Sequence, residues 1–223
     1  MVKNFIDIFY SLLKIFLFTL YIFSTSLLFA NDYVEKPLLQ KITKKYKQFA
    51  SKRFFYQQKK FNSVKNSNNM KKLQTVNRFF NTVRYMSDKK VYGKKDYWAT
   101  PWQFLGKDKG DCEDYVISKY FALRYLNISA KKLFFTYVRS TQFKAPHMVL
   151  TYFETPKSEP LILDNNNQKI FPASKRKDLT PIYNFNGEIL YKISKKGSSK
   201  KIKDSIAHTK WDQLLYNMKR KKI

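Results

Sequence analysis

From Lys36 to about Arg84 the apolar positions recur at helical spacing. Leu39, Ile42, Tyr46, Phe49 and Phe54 come first, then Leu73, Val76, Phe79, Phe80 and Val83, which predicts two or three helices. Asn62 to Met70 is mostly Ser and Asn and reads as the loop joining them. Tyr92 to Gly110 carries Gly93, Pro101, Gly106 and Gly110 together with Trp98 and Trp102, a composition that suits an irregular segment anchored by its indoles. Asp111 to Leu126 returns to helix. The period then changes. Lys132 to Val138 and His147 to Glu154 are rich in aromatic and β-branched residues, Pro160 to Asp164 is a short apolar run, and Ile182 to Tyr191 allows a further pair around the hairpin dipeptide Asn186-Gly187, so strands are predicted in all of them. Lys192 to Lys203 reads as a Lys, Ser and Gly linker, followed by an amphipathic helix with Trp211, Leu214, Leu215 and Met218 on one side. Helices followed by strands predict an α+β domain, N-terminal helices plus an antiparallel sheet.

The amino terminus follows a different pattern. Lys3 and Lys14 precede an uncharged stretch from Ile15 to Ala30, as in a secretory signal. Sixteen residues exceed the usual apolar region of a signal (about 7–15) and fall short of the roughly 20 needed to span a bilayer. Ala30 offers a small residue for cleavage, whereas Leu28 and Asp7 are atypical, so a cleaved signal and a retained membrane anchor both stay open. The chain thus divides into 1–30 (signal or anchor), 31–191 (one domain) and 192–223 (basic linker and terminal helix).

Composition narrows the classes. With 223 residues, 43% of them hydrophobic and 17% aromatic, general disorder is excluded. Cys112 is the only cysteine, so neither an internal disulfide nor a thiolate metal cluster can form. The net charge of +28 fits a polyanionic partner, and equally an AT-rich genome, since only seven of the forty-four basic residues are Arg. The excess lies on the flanks, +15 over 31–110 and +9 over 192–223, against +3 over 111–191. No Arg cluster marks a nucleic-acid recognition element, and export is poorly compatible with one.

The candidate chemistry lies in the balanced segment. Cys112 follows Gly110-Asp111 at the predicted start of a helix, where free backbone N–H groups and the macrodipole favour thiolate and could stabilise an oxyanion. Taken alone, a cysteine at this position is more often an inert small hydrophobe. His147 opens one predicted strand and Asp164 closes the next. A hairpin turn centred between Thr155 and Pro156 would set these two residues directly across from each other. Cys112 on a helix packed over that hairpin would complete nucleophile, base and orienting carboxylate. A strand histidine and a turn-forming aspartate are the plainer readings of His147 and Asp164.

The residues carry a resemblance. Tyr97-Trp98-Ala99-Thr100-Pro101, Gly110-Asp111-Cys112-Glu113-Asp114-Tyr115, His147-Met148-Val149-Leu150 and Leu163-Asp164-Asn165 resemble the bacterial transglutaminase-like cysteine proteinases of the LapG type. The match runs from Val76-Asn77-Arg78-Phe79-Phe80-Asn81 through Pro181-Ile182-Tyr183-Asn184-Phe185-Asn186, with an echo at Lys210-Trp211. The resemblance implies a papain-like, transglutaminase-like fold and a Cys-His-Asp triad at Cys112, His147 and Asp164. It further implies a periplasmic, calcium-dependent endopeptidase that cuts a large surface adhesin near its amino terminus, at a di-alanine site, and so governs biofilm attachment. An inner-membrane cyclic di-GMP receptor of the LapD type would hold such an enzyme in check. Gln103 departs from the acidic residue expected in the Ala-Thr-Pro motif, and the flanks are more basic than the family leads one to expect.

Asp111, Glu113 and Asp114 surround Cys112 and would raise its thiol pKa. A cation would relieve that conflict, and oxygen ligands of this kind suit Ca²⁺. Asp111 as an N-cap with Asp114 three residues on, and Glu113 in the first turn, equally make a capping pattern. The resemblance favours calcium on Asp111 and Glu113, with Asp114 as cap or second ligand. Two other functions stay open at this stage. One is an amidase or acyl transferase of the wider transglutaminase-like superfamily. The other is a catalytically silent exported module whose basic flanks bind a membrane surface or cell-wall polyanion.

Overall fold

The computed structural model describes residues 32–142, 145–186, 190–193, 199–202 and 206–223. The predicted signal or anchor, 1–30, lies outside them. Among the described residues no helix is long and apolar enough to cross a membrane. Met1–Glu35 and Lys36–Ile223 separate as two units, and the fold is that of the second.

Two helices lead. α1 (Lys36–Asn62) is broken at Lys47, whose φ of 69° no helix accommodates, so it consists of two helices in tandem. α2 (Asn69–Phe80) begins where the Asn68 side chain accepts the Lys71 N–H. A short parallel pair, β1 (Arg84–Tyr85) and β2 (Lys109–Gly110), brackets two small helices, α3 (Asp88–Tyr92) and α4 (Pro101–Lys107). α5 (Cys112–Tyr125) follows β2 directly.

The segment expected to be irregular therefore holds a helix, for reasons visible at its start. Pro101 occupies the first turn, and Thr100 caps it by accepting the Gln103 N–H while Gln103 returns a bond to the Thr100 N–H at 3.0 Å. Gln103, the departure from the family's acidic residue, performs the task an acid would perform there. At the other end, Arg53 of α1 donates to the carbonyls of Leu105 (2.9 Å) and Gly106 (2.7 Å). Gly106 permits this approach, since a Cβ there would lie 2.5 Å from the Tyr46 ring.

The second half is one antiparallel sheet of order β6-β5-β4-β3-β7-β8-β9. Its strands are β3 (Leu133–Ser140), β4 (Ala145–Tyr152), β5 (Leu161–Leu163), β6 (Phe171–Pro172), β7 (Leu179–Phe185), β8 (Leu190–Ile193) and β9 (Ser199–Ile202). α5 packs on β4 and against α2. The predicted pair around Asn186 is present as β7 and β8, with Gly187 itself outside the described residues.

Two expectations about the tail need correction. β8 and β9 occupy the segment read as linker, so the sheet runs across the boundary drawn at residue 191. The terminal helix, α6 (Ile206–Lys219), buries Trp211, Leu214 and Asn217, whereas Leu215 is 39% exposed. Apolarity alone selected Leu215 and Met218. The face actually turned inward is the one Trp211 sets, because that indole stacks on Phe121 at 5.8 Å and meets Phe135 and Tyr120 edge-on at 5.1 and 5.6 Å. Phe185 stacks on Phe135 and on Trp98, tying the sheet, α6 and the segment before α4 into one aromatic cluster. Trp211→Ala is predicted to cost roughly 3–5 kcal/mol in urea unfolding, and Leu215→Ala no more than about 0.5 kcal/mol. Equal, small effects would mean that the helix is a solvated tail.

Candidate active site

The β1–β2 pair ends at Gly110, and the chain turns at once into α5. A Cβ on Gly110 would meet Asp114 Oδ2 at 2.4 Å and the Phe104 ring at 2.5 Å, so only glycine lets the strand end this close to the helix start. Asp111 takes the N-cap conformation, yet its side chain caps nothing. Cys112 is the first helical residue, and the backbone N–H of Met148, the residue after His147 on β4, is near enough to favour its thiolate. The helix start and the beginning of β4 therefore converge on one point.

His147 and Asp164 meet as expected, by a slightly different register. β4 and β5 pair Leu150 with Leu163, which centres the hairpin between Pro156 and Lys157, one residue beyond the predicted turn. Asp164 thus extends opposite Val149, and His147 is its diagonal neighbour. A shift of one residue in the turn moves the pairing by two, which preserves the face. His147 Nε2 lies 2.9 Å from Asp164 Oδ1, and both side chains are buried.

Asp164 is held from several sides. The Asn166 N–H donates to Oδ1 at 3.0 Å, and Arg176 Nη2 donates to Oδ2 at 2.7 Å while also bonding Asp178 at 2.8 Å. Burial alone would raise its pKa, but the bonds and charge of His147, the Asn166 N–H and Arg176 outweigh that and hold the carboxyl well below the usual carboxylate range. The loop itself is fixed by α2. Asn81 donates to the carbonyls of Asp164 (2.8 Å) and Asn167 (3.0 Å), and Asn77 to that of Asn167 (3.2 Å).

The acidic residues divide in a way the spacing did not foresee. Glu113 turns to the nucleophile, Oε2 accepting from the Cys112 thiol at 2.8 Å. Asp111 and Asp114 instead gather with Asp88 from α3, one oxygen of each lying within 4.8 Å of the others. Asp114 Oδ1 accepts the Ala99 N–H at 2.9 Å, and Asp88 Oδ2 that of Tyr97 at 2.5 Å. The remaining oxygens, Asp88 Oδ1, Asp111 Oδ1 and Asp114 Oδ2, are buried without a partner. The Asp111 side chain, the N-cap of the predicted pattern, does not cap α5. Burial and mutual repulsion push Asp88 up to about 6 and Asp111 up to about 10, and Asp114 well above its ordinary value. Three buried, unpartnered, mutually repelling carboxylate oxygens are the donor set of a hard cation. The same congestion acts on the thiol: burial, then Glu113 and Asp111, raise the Cys112 pKa, opposed by the Met148 N–H.

Comparison with known proteins bears directly on this arrangement. The family model of the bacterial transglutaminase-like cysteine proteinases matches residues 44–179, more than half of the chain. The chain belongs to that family. The proteinase is also similar to solved structures of LapG from Legionella pneumophila. The calcium-bound form is 38% identical over 81% of this chain and 97% of that one, with a TM-score of 0.69, and the EGTA-treated form is 37% identical over 82% and 97%, with a TM-score of 0.68. A search of curated proteins finds no match. The proteinase has the transglutaminase-like fold and is a cysteine peptidase.

Several residues of the site were not legible beforehand. Asp88 lies on a separate short helix, and no spacing rule links it to Asp111. Arg176 follows a 3₁₀ turn (Ala173–Lys175) outside every motif. Lys119 had a signal, since it is seven residues after Cys112 and so on the same face of α5. It is fully buried with no hydrogen-bond partner on Nζ, and burial pulls its ammonium down to about 7 against the opposing charge of Asp164. Arg176→Met is predicted to lower stability by about 1.5–3 kcal/mol, the usual value of a buried charged hydrogen bond, measured by urea unfolding. A loss near zero would mean that His147 and Asn166 suffice to hold Asp164.

Proposed function

We propose that the protein is an exported, calcium-dependent thiol endopeptidase that cuts a large surface adhesin near its amino terminus, at a di-alanine site, and so releases the cell from a biofilm. The observation that carries the chemistry is the His147–Asp164 bond at 2.9 Å on the sheet against which the helix that begins at Cys112 packs. Family membership and the similarity to Legionella LapG support the substrate class. An inner-membrane cyclic di-GMP receptor of the LapD type is the proposed inhibitory partner.

In this reading Cys112 is the nucleophile. With Nε2 engaged by Asp164, Nδ1 of His147 is the nitrogen left to take the thiol proton, giving a thiolate–imidazolium pair whose orientation Asp164 fixes. The thiolate attacks the scissile carbonyl, and N–H groups at the start of α5 stabilise the oxyanion. His147 then passes its proton to the leaving amine, and water hydrolyses the thioester with His147 again as base. Asp88, Asp111 and Asp114 would hold the calcium ion, whose positive charge offsets the carboxylates around the thiol. Glu113, assigned to the metal by the resemblance, is better suited to orient Cys112, given its bond to the thiol.

The test is incubation of the protein, wild type and Cys112→Ala, with the amino-terminal region of the same organism's largest surface adhesin, in calcium and in EGTA. Cleavage is expected from wild type with calcium alone. Full activity in excess EGTA would remove the calcium requirement, and equal cleavage by Cys112→Ala would remove the thiol mechanism. Absence of cleavage in every lane by folded protein would point to a different amide substrate. EGTA is further predicted to leave far-UV circular dichroism nearly unchanged, because the cation site lies at one helix start rather than in the aromatic core.

A further inference from the structure

From Lys36 through Ser87 the chain carries fourteen Lys and Arg and no Asp or Glu. Charge of one sign over that length is not by itself a site, but the structure adds apolar side chains to it. After the break at Lys47, α1 turns Phe49, Phe55 and Tyr56 outward, 77%, 61% and 53% exposed. Lys52, Lys59 and Lys60 share that outward face. The lysines lie over the rings rather than away from them, with Lys52 Nζ 5.8 Å from the Phe49 centroid and Lys60 Nζ 5.2 Å from that of Tyr56. Large exposed aromatics grouped on one helix face mark a surface that meets something apolar.

Beside this face is a shallow cavity of about 380 Å³ between α1 and α2. Tyr56 and Lys60 form one wall, and Lys71, Thr75 and Arg78 of α2 another. Three cations and several hydroxyls, with no acid among the lining residues, form a receptor for phosphate oxygens. The acidic contact of this helix, Asp108 with Arg53 at 4.0 Å, lies on the side turned toward α4.

We propose that the outward face of α1, with the basic cavity beside it, docks on a bilayer of anionic phospholipid. Phe49, Phe55 and Tyr56 enter the headgroup boundary, the lysines extend to phosphates, and the α1–α2 cavity takes a headgroup phosphate. Charge complementarity argues for an anionic partner, and the two phenylalanines for one with an apolar layer beneath its charge. Nucleic acid or a cell-wall polyanion offers no such layer, and the cations here are mostly lysines without the bidentate geometry that reads bases or planar acids. This surface is separate from the carboxyl-terminal tail, whose buried face packs on the sheet. It does not depend on the identity of the cleaved substrate.

The experiment places an indole at the surface. The three native tryptophans, Trp98, Trp102 and Trp211, are 4%, 8% and 5% exposed, so in the full chain carrying Phe55→Trp a fluorescence change on adding vesicles reports on position 55. With phosphatidylglycerol vesicles whose acyl chains are brominated, the emission is expected to shift to the blue and to be quenched. Phosphatidylcholine vesicles should do neither, and millimolar inorganic phosphate should not compete. Adding Lys52→Gln, Lys59→Gln and Lys60→Gln should weaken binding roughly a hundredfold, at about 1 kcal/mol per lysine near an anionic surface, with the helical circular dichroism unchanged. Co-sedimentation with phosphatidylglycerol while position 55 stays unquenched would show that another surface binds and would overturn the proposal. So would equal quenching by both lipids, absence of binding, or displacement by inorganic phosphate.

Discussion

Repulsion among buried carboxylates governs this site. Asp88 of α3 is brought against Asp111 and Asp114 at the start of α5, and Glu113 leans on the thiol, all within the first turn of α5 or beside it. A chain selected for stability alone would not bury three carboxylate oxygens without partners. The backbone is nevertheless built to bring them there. Gly110 lets the β2 strand end against Asp114, and the N–H groups of Ala99 and Tyr97 hold Asp114 and Asp88 by one oxygen each, leaving the other turned inward. The consequence for chemistry is that the nucleophile sits where negative charge opposes its ionisation. In the proposed enzyme, activity therefore follows the cation.

The base and its partner face the opposite electrostatic regime. Asp164 is surrounded by donors and positive charge: His147, the Asn166 N–H, Arg176 and, from α5, Lys119. These partners favour its ionised form, the form that orients His147. Asn77 of α2 and Asn81 just past its end hold the loop that carries Asp164, which explains why a helix far upstream in sequence belongs to the same motif set as the strands. The thiol is thus crowded by negative charge, whereas Asp164 is held by donors and positive charge.

How much of this the chain discloses depends on the range of the interaction. Helices α1, α2 and α5 and strands β3 to β5 were legible because their signals are local, namely spacing, β-branching and turn residues. His147 and Asp164 meet as the sequence led one to expect because strand parity survives a two-residue displacement of the hairpin. α4 was missed because three glycines and a proline outweighed the capping box at Thr100 and Gln103 in a composition-based reading. The tail was misread because Lys and Ser can form an edge strand once a neighbour such as β8 is present, and no local signal announces the neighbour. Asp88 and Arg176 were invisible for the same reason, since their roles exist only after distant segments have come together.

The most direct test of this account is the rate at which Cys112 reacts with iodoacetamide as a function of pH, measured with calcium and with EGTA. Thiolate is the reacting form, and this is the only cysteine, so the profile is that of a single group. The account predicts that calcium shifts the profile to lower pH and speeds alkylation at neutral pH, because added positive charge offsets the carboxylates that raise the thiol pKa. Superimposable profiles in calcium and EGTA would contradict it, and would mean that the acidic cluster does not control the nucleophile.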